Sequence, residues 1–222
     1  MNIENFSNSG QEISSRNTER YTEIKPKSDI TRKEADSFWD SEMRDNYNGE
    51  RENSSVEYIG DQKVYLDDDG VEYRVGNELK PNTTFRINDY TYKTDSNGRV
   101  TQAEGQLQIK NHDGRSTMDP RSVVDKGDMK ATDNRGHLIA DRFNGSGGLE
   151  NLVPMDSKLN QGDFAKMENK LADAVQNGKT VDYKIDVKYN ENSARPSEFR
   201  VTYSINGEKD VVVFKNGSGG AS

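Results

Sequence analysis

The segment Asp133–Ala140 reads Asp-Asn-Arg-Gly-His-Leu-Ile-Ala, and the rest of the chain is best interpreted outward from it. It contains His137, one of two histidines in the chain. A neutral imidazole, with a pKa near ~6.5, can accept a proton from water at physiological pH. His137 is therefore a candidate general base. A buried, hydrogen-bonded histidine is the alternative that the residue type alone favours.

Two further motifs follow downstream of this segment. Asn151–Pro154 reads Asn-Leu-Val-Pro, and Leu159–Gly162 reads Leu-Asn-Gln-Gly. Residues 163–176 then show apolar side chains at helical spacing, which predicts a helix. This helix carries Glu168, eight residues after Asn160. Taken alone, Asn160 would be a helix N-cap and Glu168 a surface acid. Together with the motifs around them they supply oxygen atoms, the donor type that a hard cation and its bound waters prefer.

Short strands surround this centre in the sequence. Alternating apolar residues, separated by turn signals such as Asn97-Gly98, predict strands at 56–59, 63–66, 71–75, 83–94, 100–109, 181–189, 199–205 and 211–214. A polar stretch at 110–130 predicts a long loop of the kind that often carries function. The fold class predicted is α+β, with a central antiparallel sheet and one helix packed near the 134–151 loop.

The acidic excess of the chain belongs to its N-terminal third. Residues 1–75 hold 10 Lys+Arg and 18 Asp+Glu, a net charge of −8. The whole chain holds 31 and 39, also −8, so residues 76–222 carry 21 of each and are neutral. A neutral domain can bind nucleic acid if its basic groups cluster on one face, whereas residues 1–75 should repel phosphate.

The composition predicts three regions. Residues 1–55 are an acidic extension or linker with a helix at 28–47, which either docks on the domain or binds a partner through Trp39. Residues 56–216 form the main domain, with its catalytic centre at 133–171, and residues 217–222 are a flexible tail. The acidic turn Asp67–Gly70 lacks the alternating spacing of a calcium loop, which favours a solvated turn.

Several classes of protein are disfavoured. The absence of cysteine excludes disulfides and cysteine-based zinc sites, and two histidines 25 residues apart do not fill a zinc site. No apolar run approaches the ~20 residues of a membrane span. The first ten residues lack the pattern of a Sec signal, so any export is expected to depend on another route or on a segment outside this sequence.

The motifs at 133–171 resemble, as a set, those of the DNA/RNA non-specific endonuclease family, which has the ββα-metal fold. The family signature is Asp-Arg-Gly-His, then an Asn-containing stretch, then Leu-Asn-x-Gly and a Glu eight residues after that Asn. The resemblance covers about residues 80–205. It is greatest to bacterial nuclease toxins of the type VII secretion system, which share the sequences found here at 136–143 and 151–154. One departure is Asn134, which stands where the family has its leading Asp, directly after Asp133.

The resemblance implies a role for each matching residue. His137 would be the general base, Asn160 the protein ligand of Mg²⁺, and Glu168 a carboxylate that orients the water around the metal. Mn²⁺ is expected to substitute for Mg²⁺. Asn151 would either support the metal site or fix the backbone of its loop. This fits the chemistry, because Mg²⁺ keeps most of its waters and accepts few protein ligands.

The resemblance also implies a guanidinium that contacts the phosphate, which the family takes from the segment before the His motif. Arg115, which opens the long loop, is the first candidate for this role, and Arg135 inside the motif and Arg142 are its competitors. Arg195 lies either near the substrate cleft or in a structural ion pair. His112 is expected to be an ordinary loop residue.

The function expected is therefore magnesium-dependent, non-specific endonucleolytic cleavage of DNA, with RNA left open as a substrate. The toxins that this chain resembles are secreted and are neutralised in the producing cell by a dedicated immunity protein, so both properties are implied here. The alternative function is a binding module of the same fold, for nucleic acid or a protein partner, that has lost catalysis.

Overall fold

The computed structural model describes residues 56–110 and 128–217. All of them belong to the second of the two units into which the chain divides, Met43–Ser222. The helix predicted at 28–47 lies outside the described residues, as does all of the predicted tail except Gly217.

The described chain is rich in short strands. In chain order these are β1 (Val56–Ile59), β2 (Gln62–Leu66), β3 (Glu72–Val75), β4 (Glu78–Leu79), β5 (Thr84–Ile87), β6 (Tyr90–Thr94), β7 (Val100–Gln106), β8 (Asp133–His137), β9 (Leu152–Asp156), β10 (Val181–Tyr189), β11 (Pro196–Ile205) and β12 (Glu208–Lys215). The α-helices are α1 (Ser157–Gln161) and α2 (Asp163–Gln176), and a 3-10 turn spans Asp141–Phe143.

These strands form antiparallel sheets. The largest has six strands in the order β12-β11-β10-β7-β6-β5, β1 to β4 form a four-stranded sheet, and β8 pairs with β9. The chain therefore runs strand, strand, helix through β8, β9 and the two α-helices, which is a ββα arrangement. The predicted α+β fold with an antiparallel sheet and a helix at the site is confirmed.

The apolar core lies between α2 and one face of the six-stranded sheet. In β10 the residues Val181, Ile185 and Val187 are buried while their neighbours face outward, as a period of two requires. On α2, Phe164 is buried and its ring centroid lies 6.1 Å from that of Phe199 and 5.3 Å from that of Phe214. The helix is thus fixed against β11 and β12.

Some elements differ from the sequence-based prediction. The segment at 83–94 is two strands, because Asn88 and Asp89 adopt positive φ values of 53° and 68° and turn the chain between β5 and β6. The strands β4, β8 and β9 and the short helix α1 were not predicted. Strand β9 contains Pro154, which a two-stranded pair tolerates because both of its strands have an open edge.

The acidic turn after β2 has a structural role. Asp67 is 6% exposed, and its carboxylate accepts hydrogen bonds from the backbone N–H groups of Asp69, Val71 and Arg86 at 2.9, 2.7 and 2.6 Å. Asp68 and Asp69 are exposed, as a solvated turn requires, but the expectation is wrong for Asp67 itself. Its carboxylate pins the turn to β5 instead.

Candidate active site

Strand β8 presents His137 at its last position, opposite Leu152 of β9. His137 is half-buried, with its Nε2 atom shielded from solvent. Side chains alternate along a strand, so Arg135 lies on the same face of β8 as His137, two residues away. Gly136 between them allows close packing, because a Cβ there would lie 2.6 Å from the Cβ of the buried Met155. The Arg-Gly-His order thus places two polar side chains next to each other on one face of β8, while Gly136 packs against the apolar side chain of Met155 on the other.

Asn151 fixes the loop that leaves His137. Its side chain is fully buried, accepts from the N–H of Ile139 at 2.8 Å, and donates to the carbonyl oxygens of Ile139 and Ser146 at 2.8 and 2.7 Å. Its own carbonyl accepts from the N–H of Leu138 at 2.9 Å. This geometry agrees with the second of the two roles considered for Asn151, that of holding the loop backbone.

Asn160 lies inside helix α1 and is half-buried. The N-cap of α1 is Asp156, whose carboxylate accepts from the N–H groups of Lys158 and Leu159 at 3.0 and 3.4 Å. The N-cap of α2 is Gly162. The expectation that Asn160 caps a helix is therefore wrong, because a separate short helix precedes the predicted one. The amide of Asn160 therefore caps neither helix.

Gly162 makes the sharp junction between the two helices possible. A Cβ at this position would lie 2.4 Å from the carbonyl oxygen of Lys158, closer than any side chain tolerates. This close approach explains the glycine that ends the Leu-Asn-Gln-Gly motif. The junction sets α1, with Asn160, directly before α2, with Glu168.

Glu168 is half-buried on α2, and its ionisation is perturbed. Burial raises the pKa of its carboxyl to about 7, and the nearby guanidinium of Arg142 partly opposes this rise. Burial also raises the pKa of Tyr183, and the charge of Glu168 adds to that rise. The hydroxyl of Tyr183 donates to the carbonyl oxygen of Leu138, next to His137, at 3.1 Å. Tyr183 therefore lies between the helix with Glu168 and the strand with His137.

Arg142 follows the site strand and reaches α2. It is exposed, and its Nη1 donates to Oδ1 of Asn169 at 2.7 Å, one residue past Glu168. Lys110 supports the same turn, because its Nζ lies 3.1 Å from the carboxylate of Asp141 and its N–H donates to the carbonyl of Arg142 at 2.9 Å. A cationic group thus stands at the solvent edge of the site, beside its carboxylate.

Arg195 is placed differently from the other arginines. Its Nη2 and Nε lie 2.7 Å from the two carboxylate oxygens of Asp133, and its Nη1 donates to the carbonyl of Asn216 at 2.8 Å. This bidentate pair is largely buried and agrees with the ion-pair alternative for Arg195, not with its assignment to substrate binding. Arg115 and His112 lie outside the described residues.

The donor set can be compared with the needs of different metals. Residues 56–110 and 128–217 contain no group of three or more His, Cys, Asp or Glu side chains that could hold a metal ion. Zinc requires three or four protein ligands of this kind. Asn160 and the helix that carries Glu168 supply oxygen atoms, the donors that a hard divalent cation prefers.

Comparison with known proteins identifies the family of the chain. The model of the DNA/RNA non-specific endonuclease family matches residues 81–207. The type VII secretion system protein EssD of Staphylococcus aureus strain USA300 is 31% identical over 198 residues, covering 85% of this chain and 32% of that protein. The EssD proteins of strains NCTC 8325 and Newman match equally. The chain thus spans about a third of the length of these relatives.

Solved structures of nucleases also resemble the chain. NucA from Streptococcus agalactiae, with magnesium bound, has 14% identity and a TM-score of 0.46, covering 79% of this chain and 88% of that one. The Sda1 nuclease, with a bound zinc ion, has 16% identity and a TM-score of 0.42, covering 57% and 75%.

The family match covers more than half of the chain and includes every motif from His137 to Glu168. This chain belongs to the DNA/RNA non-specific endonuclease family, and it is an endonuclease by that membership. Among the described residues, no helix is both long enough and apolar enough to cross a membrane.

Proposed function

We propose that this chain is a magnesium-dependent endonuclease that cleaves DNA without sequence preference, with His137 as general base and Asn160 as the protein ligand of the metal. One observation carries the proposal. Tyr183 donates to the carbonyl of Leu138, directly after His137, and lies near enough to Glu168 for the two groups to interact electrostatically. The helix that carries Glu168 and the backbone directly after His137 therefore both lie beside Tyr183, which supports a shared site for the base and the carboxylate.

Each residue of the site has a chemical task in this proposal. His137 accepts the proton of the attacking water, and Arg142 contacts a phosphate oxygen at the solvent edge. Arg135, on the same strand face as His137, and Arg115 remain the candidates for stabilising charge at the reacting phosphate. Asn160 holds the ion, and the Glu168 carboxylate orients water beside it. When bound, Mg²⁺ polarises the scissile phosphate and helps to neutralise the leaving oxygen.

The elements that build the described part of the site favour cleavage without base readout. Among the described residues, the proposed site groups come from a two-stranded pair, a short helix, a 3-10 turn and α2, which packs against the sheet, and none of these resembles a helix that enters the major groove. Contacts would therefore go to phosphate and sugar. RNA shares this backbone chemistry and is included as a candidate substrate.

Substrate and metal are tested together by one experiment. Supercoiled plasmid and total RNA are each incubated with the protein in Mg²⁺, Mn²⁺, Zn²⁺ or EDTA, beside Asn160→Ala and the control Lys166→Ala, an exposed residue of α2. Smearing of plasmid in Mg²⁺ or Mn²⁺ that EDTA abolishes and Asn160→Ala weakens supports the proposal. Activity unchanged in EDTA, or supported by zinc alone, contradicts it.

We further propose that the chain acts as the nuclease part of a secreted antibacterial toxin, exported by a non-Sec route such as type VII secretion and held inactive in the producing cell by an immunity protein. The likeness to EssD, a protein named for that system, supports this role. Cytoplasmic expression in a bacterium without the immunity gene should halt growth and degrade the chromosome. Expression of His137→Ala should do neither, and equal toxicity of this variant would contradict the proposal.

A further inference from the structure

A buried polar network joins the end of the six-stranded sheet to the site strands. Its first part is the pair of Asp133 and Arg195, which are 62 residues apart in sequence and make two charge-assisted hydrogen bonds of 2.7 Å. The side chain of Asp133 is 0% exposed and that of Arg195 is 9% exposed. Burial alone would raise the pKa of Asp133, but hydrogen bonds from Arg195 and from the backbone of Lys130 outweigh it and hold this pKa below its usual value.

The second part of the network is Asn216, just past the end of β12. Its side-chain nitrogen donates to the carbonyl oxygens of Pro154 in β9 and Pro196 in β11, at 2.9 and 2.8 Å. Its Oδ1 accepts from the N–H of Asp156 at 2.8 Å, and its backbone carbonyl accepts from Arg195 at 2.8 Å. Asn216 is 7% exposed, so these bonds are largely screened from water.

The network holds the starting points of two site segments. Asp133 opens β8, and His137 is the last residue of that strand. Asp156 closes β9 and caps α1, in which Asn160 lies. Asp133 and Asp156 are directly paired in the β8–β9 register, and the N–H of Ser157 donates to the carbonyl of Thr132 at 2.9 Å. One network therefore fixes where both segments begin.

We propose that Asp133, Arg195 and Asn216 form a positioning clamp, which sets the base His137 relative to the metal ligand Asn160 without touching substrate. This inference rests on the proposed roles of those two residues. A buried ion pair loses much of its Coulombic gain to desolvation. A gain in the free energy of unfolding therefore does not explain well why Asp133 and Arg195 are paired here. A positioning role explains the pair better, because the guanidinium of Arg195 and the amide of Asn216 each bind several partners in fixed directions.

The test uses metal-free protein as well as the active enzyme. The variants are Asp133→Asn, Arg195→Lys, their double variant, and Asn216→Asp, which keeps the acceptors but loses both donated bonds. Glu198→Gln is the matched control. Glu198 lies on β11, which begins directly after Arg195, and the substitution breaks its ion pairs with Lys188 and Lys215 without touching the clamp. The chain has two histidines, so a ¹H–¹³C spectrum shows two imidazole Cε1–H signals, assigned with His112→Gln.

The clamp predicts a shifted His137 signal in each clamp variant that folds, and an unshifted one in Glu198→Gln. It predicts a fall in kcat of about tenfold or more on a short duplex, since misplacement by about 1 Å can cost ~10²-fold. The KM for DNA and its salt dependence should stay unchanged. Because Asp133 and Arg195 act as a unit, the double variant should be no worse than the poorer single variant.

Two results would overturn the clamp. In the first, the clamp variants differ from the wild type only in their urea midpoint and keep its His137 signal and its kcat. The network would then stabilise the fold without positioning the site. A raised KM and a weaker salt dependence in Arg195→Lys, without the same change in Asp133→Asn, would make Arg195 a substrate contact. The imidazole spectrum requires no activity, so the clamp can be judged separately even if the wild type proves inert and the proposed function fails.

Discussion

The hydroxyl of Tyr183 donates a hydrogen bond to the carbonyl oxygen of Leu138 at 3.1 Å, which ties the central strand β10 to the residue directly after His137. Tyr183 is buried, and Val181 and Ile185, two residues before and after it on β10, belong to the apolar core. The six-stranded sheet therefore supports the backbone directly after His137, at the point where β8 ends.

Tyr183→Phe should test this support. Removing the hydroxyl leaves the carbonyl of Leu138 without this bond and should lower the free energy of unfolding by about 1 kcal/mol, with a several-fold loss of kcat. Tyr203→Phe is the matched control, because Tyr203 pairs with Tyr183 across β10 and β11 but its hydroxyl bonds to Asp210 at 2.6 Å and not to the segment after His137. Urea titration and plasmid cleavage check both. Equal losses of kcat in the two variants would count against a role for the Leu138 contact.

Glu168 should make the metal-free protein less stable as the pH rises. Its folded pKa is about 7 against an ordinary value of 4.5, so the folded state binds more protons between these values. Stability therefore falls from pH 4.5 to 7, by on the order of 2 kcal/mol after allowance for partial exposure. Glu168→Gln should flatten this fall. Unfolding in urea with EDTA at several pH values measures it, and identical pH profiles for the two proteins would refute the assignment.

Arg142→Ala should weaken binding of DNA and leave the fold unchanged. The side chain is exposed, so the free energy of unfolding should change by no more than about 0.5 kcal/mol. If it contacts one phosphate, KM should rise and the slope of log K against log salt should fall by about 1. Lys209→Ala, exposed on β12, is the control. A lower kcat with an unchanged salt slope would show that Arg142 acts on Glu168 and not on DNA.

Gly136→Ala should damage both the fold and the activity. The new Cβ would meet the Cβ of Met155 at 2.6 Å, and such overpacking costs about 1–3 kcal/mol. Gly217→Ala is the control, because nothing lies within 4 Å of a Cβ at that position. Thermal unfolding of the three proteins decides the point, and a wild-type melting curve for Gly136→Ala would show that β8 and β9 are less tightly packed than described.

Periodicity explains why much of the fold could be predicted from the sequence. Helix α2 is predicted and observed over the same residues, since Phe164, Met167 and Leu171 recur at helical spacing and are all buried. The strands around Asn97-Gly98 and Asn206-Gly207 were predicted because turn residues separate alternating apolar runs. In these elements the core imposes its pattern on the sequence.

The strands of the site left no such pattern. Strand β8 consists of Asp, Asn, Arg, Gly and His, and β9 contains a proline, so neither shows apolar alternation. Their pairing is decided by tertiary contacts, above all the packing of Gly136 on Met155. The motif resemblance identified these residues as a site while leaving their secondary structure open.

The contacts of single polar side chains were the least predictable feature. Arg195 meets Asp133 across 62 residues, and Asn216 meets Pro154 across the same separation. Nothing in the sequence singled out Asn216. Asp133 stood out only because it precedes Asn134, which replaces the leading Asp of the family signature. Short-range sequence signals cannot predict such pairs, because the pairs form only when β11 and β12 of the large sheet pack beside β8 and β9.

Cleavage of supercoiled plasmid by His137→Ala in Mg²⁺, measured beside the wild type and His112→Gln, tests the assignment of the base most directly. General base catalysis contributes about 10²–10⁴-fold, so His137→Ala should lose at least about 100-fold in rate while keeping the wild-type urea midpoint. The His112→Gln protein should remain active. Cleavage by a folded His137→Ala protein within a few-fold of the wild-type rate would contradict the account.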